Sequence, residues 1–96
     1  MSSEEEENLA VVTVFGVDKP GIVAGITGVL AAYNVNIVDI SETVLRGLFT
    51  MIMIVDLKTS NVQLTFLKEK LEEKAKELNV TISLNHISVF KYMQRV

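Results

Sequence analysis

Two short stretches carry the polar groups that could hold a small molecule. The first is Asp18-Lys19-Pro20-Gly21-Ile22-Val23, set between an apolar run and a helical pattern. The start of a helix leaves backbone N–H groups without intrahelical partners and carries a partial positive charge, so it suits a carboxylate. Gly21, Ile22 and Val23 can present N–H groups there. Pro20 cannot. Gly21 also lets a ligand approach with no Cβ in the way. Asp18 can either cap the helix or accept a hydrogen bond from a bound ammonium, and the same residues equally make a plain polar corner. The second stretch is Asn34-Val35-Asn36-Ile37-Val38-Asp39. Asn36 can meet a ligand through its side chain or backbone, while Asn34 and Asn36 equally suit a helix-to-strand turn.

Catalysis lacks candidates. His86 is the only histidine, and no serine or aspartate is tied to it by a motif that would make a nucleophile and base. A zinc site needs more ligands of the right type. The absence of cysteine excludes a disulfide framework, thiolate zinc sites and a cysteine nucleophile. Asp39, Glu42 and Asp56 have no motif spacing. Gly21, Gly25 and Gly28 follow neither a phosphate loop nor a dinucleotide fingerprint. The expectation is therefore no enzyme, with no catalytic residue, cofactor or metal.

Length and charge narrow the class further. The 96 residues are enough for one domain with one core. Residues 1–8 read as an acidic flexible arm and 9–96 as the single domain. The block Glu4–Glu7 exceeds the whole net charge of −3, leaving the body nearly neutral. Such a block repels itself and stays solvated. The body has no basic excess to reward a phosphate backbone and no aromatic pair on a basic sheet, so no nucleic-acid partner is expected. No run reaches the roughly 20 apolar residues of a membrane span, and the acidic N-terminus is neither a signal nor a transit peptide. These features point to the cytoplasm.

The elements that must position the two polar stretches follow from periodicity. Leu9 to Phe15 is β-branched and aromatic, a strand. Pro20 to Tyr33 predicts a helix, with Pro20 at its first position and Ile22, Ile26, Val29, Leu30 and Tyr33 in one apolar stripe. Asn36 to Leu45 and Leu48 to Leu57 are strands joined through Arg46-Gly47 as a hairpin. Ser60 suits the cap of a second helix over 61–78, with Leu64, Leu67, Leu71, Ala75 and Leu78 inward and a Glu72–Lys76 pair outside. Asn34 and Asn79 suit the two helix ends. Val80 to Val89 alternates as a fourth strand. Phe90 to Val96 fits either a strand extension or a helical turn. The order βαββαβ gives an α+β, ferredoxin-like fold: a four-stranded antiparallel sheet with two helices on one face.

The third strand is apolar on both faces. Phe49, Met51, Met53 and Val55 point one way, and Leu48, Ile52 and Ile54 the other. Two helices cover only one face, so the second is either an interface between copies or is covered by a fold-back of Phe90, Tyr92 and Met93.

The stretch from Val14 to Glu42, together with Gly47 to Leu57, resembles an ACT domain over about residues 9 to 89, and the whole chain is similar to small free-standing ACT proteins related to the ACT half of glycine-cleavage regulators. That resemblance implies a regulatory, allosteric module binding an amino acid or similar small ligand, in a homodimer or larger oligomer. The ligand loop carried over is Asp18, Lys19, Pro20, Gly21, Ile22 and Val23. The facing strand, from a neighbouring subunit, is Asn36, Ile37 and Val38. The backbone of Ile22, Val23 and Ile37 would hold the ligand's carboxylate and ammonium, with side-chain contacts from Asp18 and Asn36. With no attached enzyme or DNA-binding domain, the module would act on a separate regulated protein, store or buffer a ligand, or have lost ligand binding. The alternative is a protein–protein interaction scaffold with no ligand sensing.

Overall fold

The computed structural model describes residues 7–93, so most of the acidic block and the last three residues lie outside the described residues. The elements are β1 (Leu9–Val17), α1 (Ile22–Ala32), β2 (Asn36–Leu45), β3 (Leu48–Asp56), α2 (Leu64–Leu78), β4 (Thr81–His86) and α3 (Ile87–Met93). The strands form one antiparallel sheet in the order β2-β3-β1-β4. This is the expected ferredoxin-like arrangement, and β3 and β1 lie at its centre.

Alternation along the central strands builds the core. Val12 and Val14 of β1, and Met51, Met53 and Val55 of β3, are fully buried on the face covered by α1 and α2. The helices meet them with Ile22, Ile26 and Leu30 from α1 and Leu67 and Leu71 from α2. Gly25 permits the two helices to come close, because a Cβ there would sit 2.9 Å from Leu78 Cδ1.

The turns are set by backbone chemistry. Arg46 and Gly47 have φ of 50° and 78°, the two positive values that match a tight hairpin to the twist of its strands. Asn34 and Asn79 are left-handed, at 59° and 56°, and end α1 and α2 as their amide side chains allow. Asn34 is further fixed by its Nδ2 donating to Thr59 O and its own carbonyl accepting from Thr59 Oγ1.

Several boundaries differ from the sequence expectation. α1 starts at Ile22, not Pro20; Gly21 is the N-cap, with φ of 93°, a left-handed turn that proline cannot make. α2 starts at Leu64 after Gln63. Ser60 does not cap it, because its hydroxyl is taken locally by Val62, accepting from the Val62 N–H and donating to the Val62 carbonyl. The ion pairs on α2 are Lys70–Glu73 and Lys74–Glu77, three residues apart, in place of Glu72–Lys76.

The largest difference lies after His86. β4 stops there, and the chain turns back as α3 across the sheet face opposite α1 and α2. Ile87 and Phe90 pack on Leu9, Val11 and Ile54. The His86 ring holds this corner: Nε2 lies 2.7 Å from Glu7 O, and Nδ1 accepts from the Ser88 N–H. Of the three fold-back residues considered from the sequence, Phe90 packs with Ile87 over one end of that face, while Tyr92 and Met93 stay exposed. The other end stays bare, with Phe15 54%, Val17 67% and Leu48 47% exposed.

Candidate ligand-binding site

The loop from β1 into α1 is built on a left-handed glycine. Gly21 holds the Gly25 N–H with its carbonyl at 2.9 Å, the first hydrogen bond of the helix. No side chain caps this end. The N–H groups of Ile22, Val23 and Ala24 are thus left for solvent or a ligand. Of the two roles open to Asp18, helix capping is not the one adopted. Its backbone N–H instead donates to Gly47 O at 2.8 Å, tying the loop to the β2–β3 turn.

That tie makes a groove. The turn carries the C-terminal half of β2 alongside the loop, enclosing an open cavity of ≈ 370 Å³. One wall is Asp18, Lys19 and the Gly21–Ala24 start of α1. The other is Glu42, Thr43 and Val44 of β2, with Phe49 of β3. Among the described residues the ion pairs are the two on α2, so Asp18, Lys19 and Glu42 have no ionic partner within them. The groove offers N–H donors and an ammonium to an anion, and two carboxylates to a cation. A molecule carrying both charges can use both walls.

Five of the six expected loop residues line this groove: Asp18, Lys19, Gly21, Ile22 and Val23. Pro20 does not. Its place is the turn that delivers Gly21. Asn36, Ile37 and Val38 lie elsewhere. Asn36 pairs with Asp56 and Ile37 with Val55, at the far end of β2, and Val38 sits in a bulge between Ile37 and Asp39. Val44 is eight residue steps along the strand from Asn36, so the two halves are more than about 20 Å apart within one chain.

Sequence reasoning missed Glu42, Thr43, Val44 and Phe49. The signal was present in the Arg46-Gly47 turn. Counting back from it pairs Val44 with Phe49 and Glu42 with Met51, and β3 in turn pairs with β1 at the loop end, Gly16 with Phe49.

β2 is a free edge. Ile40, Glu42 and Val44 share the side of Met53, Met51 and Phe49, yet all three are exposed because the helices do not reach over them. Neither proline nor lysine interrupts this edge, and the features on it that discourage pairing are the bulge at Val38 and the charges of Asp39 and Glu42. Among the described residues no group of three or more acidic or histidine side chains could hold a metal ion, and no helix is long and apolar enough to cross a membrane.

Comparison with known proteins adds three findings. A model of the ACT domain matches residues 8–85. A UPF0237 protein of Pyrobaculum aerophilum is 56% identical over 88 residues, covering 92% of this chain and 98% of that protein. Among solved structures, an ACT domain protein from Streptococcus pneumoniae is 40% identical with a TM-score of 0.76, over 86% of this chain and 93% of that one. The regulatory subunit of aspartate kinase from Thermus thermophilus shares the fold, with a TM-score of 0.64 at 22% identity, over 81% of this chain and 50% of that one.

Proposed function

The chain belongs to the ACT-domain family, regulatory modules that bind small ligands, and from that premise we propose that it binds an amino acid in a groove completed by a second copy, and so modulates a separate protein. The observation that carries this reading is the arrangement of the β2 edge. One end of that edge walls the groove at Glu42–Val44, and the other end bears Asn36, Ile37 and Val38. If two copies pair antiparallel through β2 about a two-fold axis, the Asn36 end of each copy is returned to the groove of the other. The ligand's carboxylate then meets the N–H groups of Ile22 and Val23. Its ammonium meets Asp18 and Glu42, and Asn36 and the Ile37 backbone of the second copy close the site. A ligand held by both copies favours the paired state over any other, and differential affinity of this kind is what a regulatory signal requires.

The test is complementation. A thermal-shift screen against the standard amino acids finds the ligand, since binding to the native state raises the melting point. Calorimetry then follows Gly21→Val, Asn36→Ala and an equal mixture of the two after subunit exchange. Each variant alone should lose both sites of a dimer. The mixed dimer keeps one site with a native loop and a native facing strand, and because random exchange makes only half of the dimers mixed, binding should return at about a quarter of the wild-type stoichiometry. Full binding by Asn36→Ala alone would place the site within one chain, because Asn36 lies at the far end of β2 from the groove of its own copy. A screen without hits would favour the scaffold reading, for which a pull-down should recover the same protein with and without amino acids.

A further inference from the structure

The sheet face opposite α1 and α2 is divided in two. At one end α3 covers Leu9, Val11 and Ile54 with Ile87 and Phe90. At the other, cross-strand rows leave Leu45, Leu48 and Val17 side by side, then Phe15 beside Thr50, then Ile52 beside Thr13. This bare half holds no charged residue along the paired rows. Its polar groups are hydroxyls, and those of Thr13 and Ser83 are already hydrogen-bonded to each other. With no charge to desolvate, such a surface loses less on leaving water than a charged one, and its remaining hydroxyls need partners across any contact.

The helix beside it is apolar on two opposite sides. At 3.6 residues per turn, Val89 and Tyr92 point away from the side that carries Ile87 and Phe90, with Met93 on the flank between Val89 and Phe90. Val89 and Met93 are about half exposed and Tyr92 more so. A helix apolar on opposite sides is built to be packed on both, and here only one side has something against it.

We infer that a second copy of this chain covers the face, with α3 of each copy seated on the bare half of the other. Symmetry makes this occupant fit. A two-fold axis lying across the strands, between two facing sheets, turns the α3 end of one sheet over the bare end of the other. One rotation therefore covers both exposed features in both copies, and each α3 is then packed between its own sheet and its partner's. An axis along the strands would bring the two α3 helices together and leave the bare halves empty. The area suffices as well. The bare half is about 15 Å along the strands by about 20 Å across, or roughly 300 Å² in outline. Two bare halves with two outer sides of α3 reach the scale of roughly 1,000 Å² that a specific contact needs. One foreign chain on one half would not. This contact uses a sheet face and leaves the β2 edge free, so it stands whether or not the amino-acid site does, and both together would make a four-copy assembly.

The experiment is mass in solution by light scattering, at tens of micromolar, for the wild-type chain, for Tyr92→Asp and for Val17→Asp, with circular dichroism to establish that each remains folded. The expected result is an assembly of at least two copies, halved in mass by either substitution, with any amino-acid binding of the β2-edge pair retained. Because the chain has no cysteine, a second measurement does not depend on disrupting the contact. Phe15→Cys and Tyr92→Cys proteins, mixed and treated with a short bis-maleimide, should cross-link to each other far more than either does to itself. A monomeric wild-type chain overturns the inference. So does an assembly unmoved by both substitutions with no mixed cross-link. A monomer that instead binds lipid vesicles or another protein through this face assigns it to a different occupant and equally overturns the inference.

Discussion

Neighbouring residues of β3 belong to two different problems. Met53 is fully buried under α1 and α2, whereas Ile52, one position earlier, is 43% exposed on the opposite face. Both are large and apolar, both lie on a central strand, and both are paired with β1. Over β1 and β3 the helix-covered face is closed by the chain's own elements, and the inward apolar positions of these two strands contribute to one core. The other face is closed by α3 only where Leu9, Val11 and Ile54 lie. Apolar residues on the first face therefore specify the fold. Those on the bare half of the second add little to a single copy and are available for assembly.

The sharpest way to break that distinction is a matched pair of substitutions. Met53→Ala opens a cavity in a packed core and should lower unfolding free energy by about 2–5 kcal/mol. Ile52→Ala removes side-chain atoms already half in water, and at concentrations too low for assembly it should cost under about 1 kcal/mol. Denaturant titration of both at sub-micromolar concentration reads the difference. Equal losses would mean that α3, or another part of the chain, closes the second face more fully than its exposure indicates.

Much of this was legible because local chemistry and global packing agree. The stripes Ile22-Ile26-Leu30 and Leu67-Leu71-Ala75 and the alternation of Phe49, Met51, Met53 and Val55 gave the buried face. The positive-φ positions Asn34, Gly47 and Asn79 were marked by residue types that accept them. The reading failed where several local partners compete for one group. Ser60 resembles a helix cap, but its hydroxyl is satisfied two residues away by Val62. Pro20 suits a first helical position, yet Gly21 behind it adopts a turn only glycine tolerates. The segment from Ile87 is too short for period-2 and helical spacing to differ, and only the apolar surface of Leu9, Val11 and Ile54 decides that it becomes α3. The groove was half legible for another reason. Asp18 to Val23 are contiguous, but Glu42 and Val44 join them only through strand register.

Gly21 tests whether the loop behaves like the core or like the bare face. Crowding is not the issue, because a Cβ at Gly21 would have nothing within 4 Å. The obstacle is φ of 93°, a conformation in which an L side chain costs about 1–2 kcal/mol. Gly21→Val should therefore destabilise the chain by about that amount or distort the loop to relieve it. Either way the N–H groups of Ile22 and Val23 shift, and ligand affinity should fall more than stability does. Gly21→Ala should show a smaller version of both effects. Binding and stability falling in step would make the loop a structural corner only.

The smallest expected effect on stability is at Glu42, and it separates the groove from both faces of the sheet. Glu42 stands beside the buried column of β3, opposite Met51, but is itself exposed on the free edge, with no ionic partner among the described residues. Glu42→Gln keeps the shape and removes the charge. Because nothing in the fold depends on that charge, stability should change by no more than about 0.5 kcal/mol. If Glu42 accepts a ligand's ammonium, affinity should drop about tenfold, or about 1.4 kcal/mol, and the loss should shrink as added salt screens the remaining charges. Lys19→Gln, on the opposite wall, removes a positive charge and should spare a ligand anchored through its ammonium. A ligand equally sensitive to both substitutions would be one bound by its two charged ends across the groove. One sensitive to neither would be held by the backbone of Ile22 and Val23 alone, with the β2 wall serving only to bring the second copy into place.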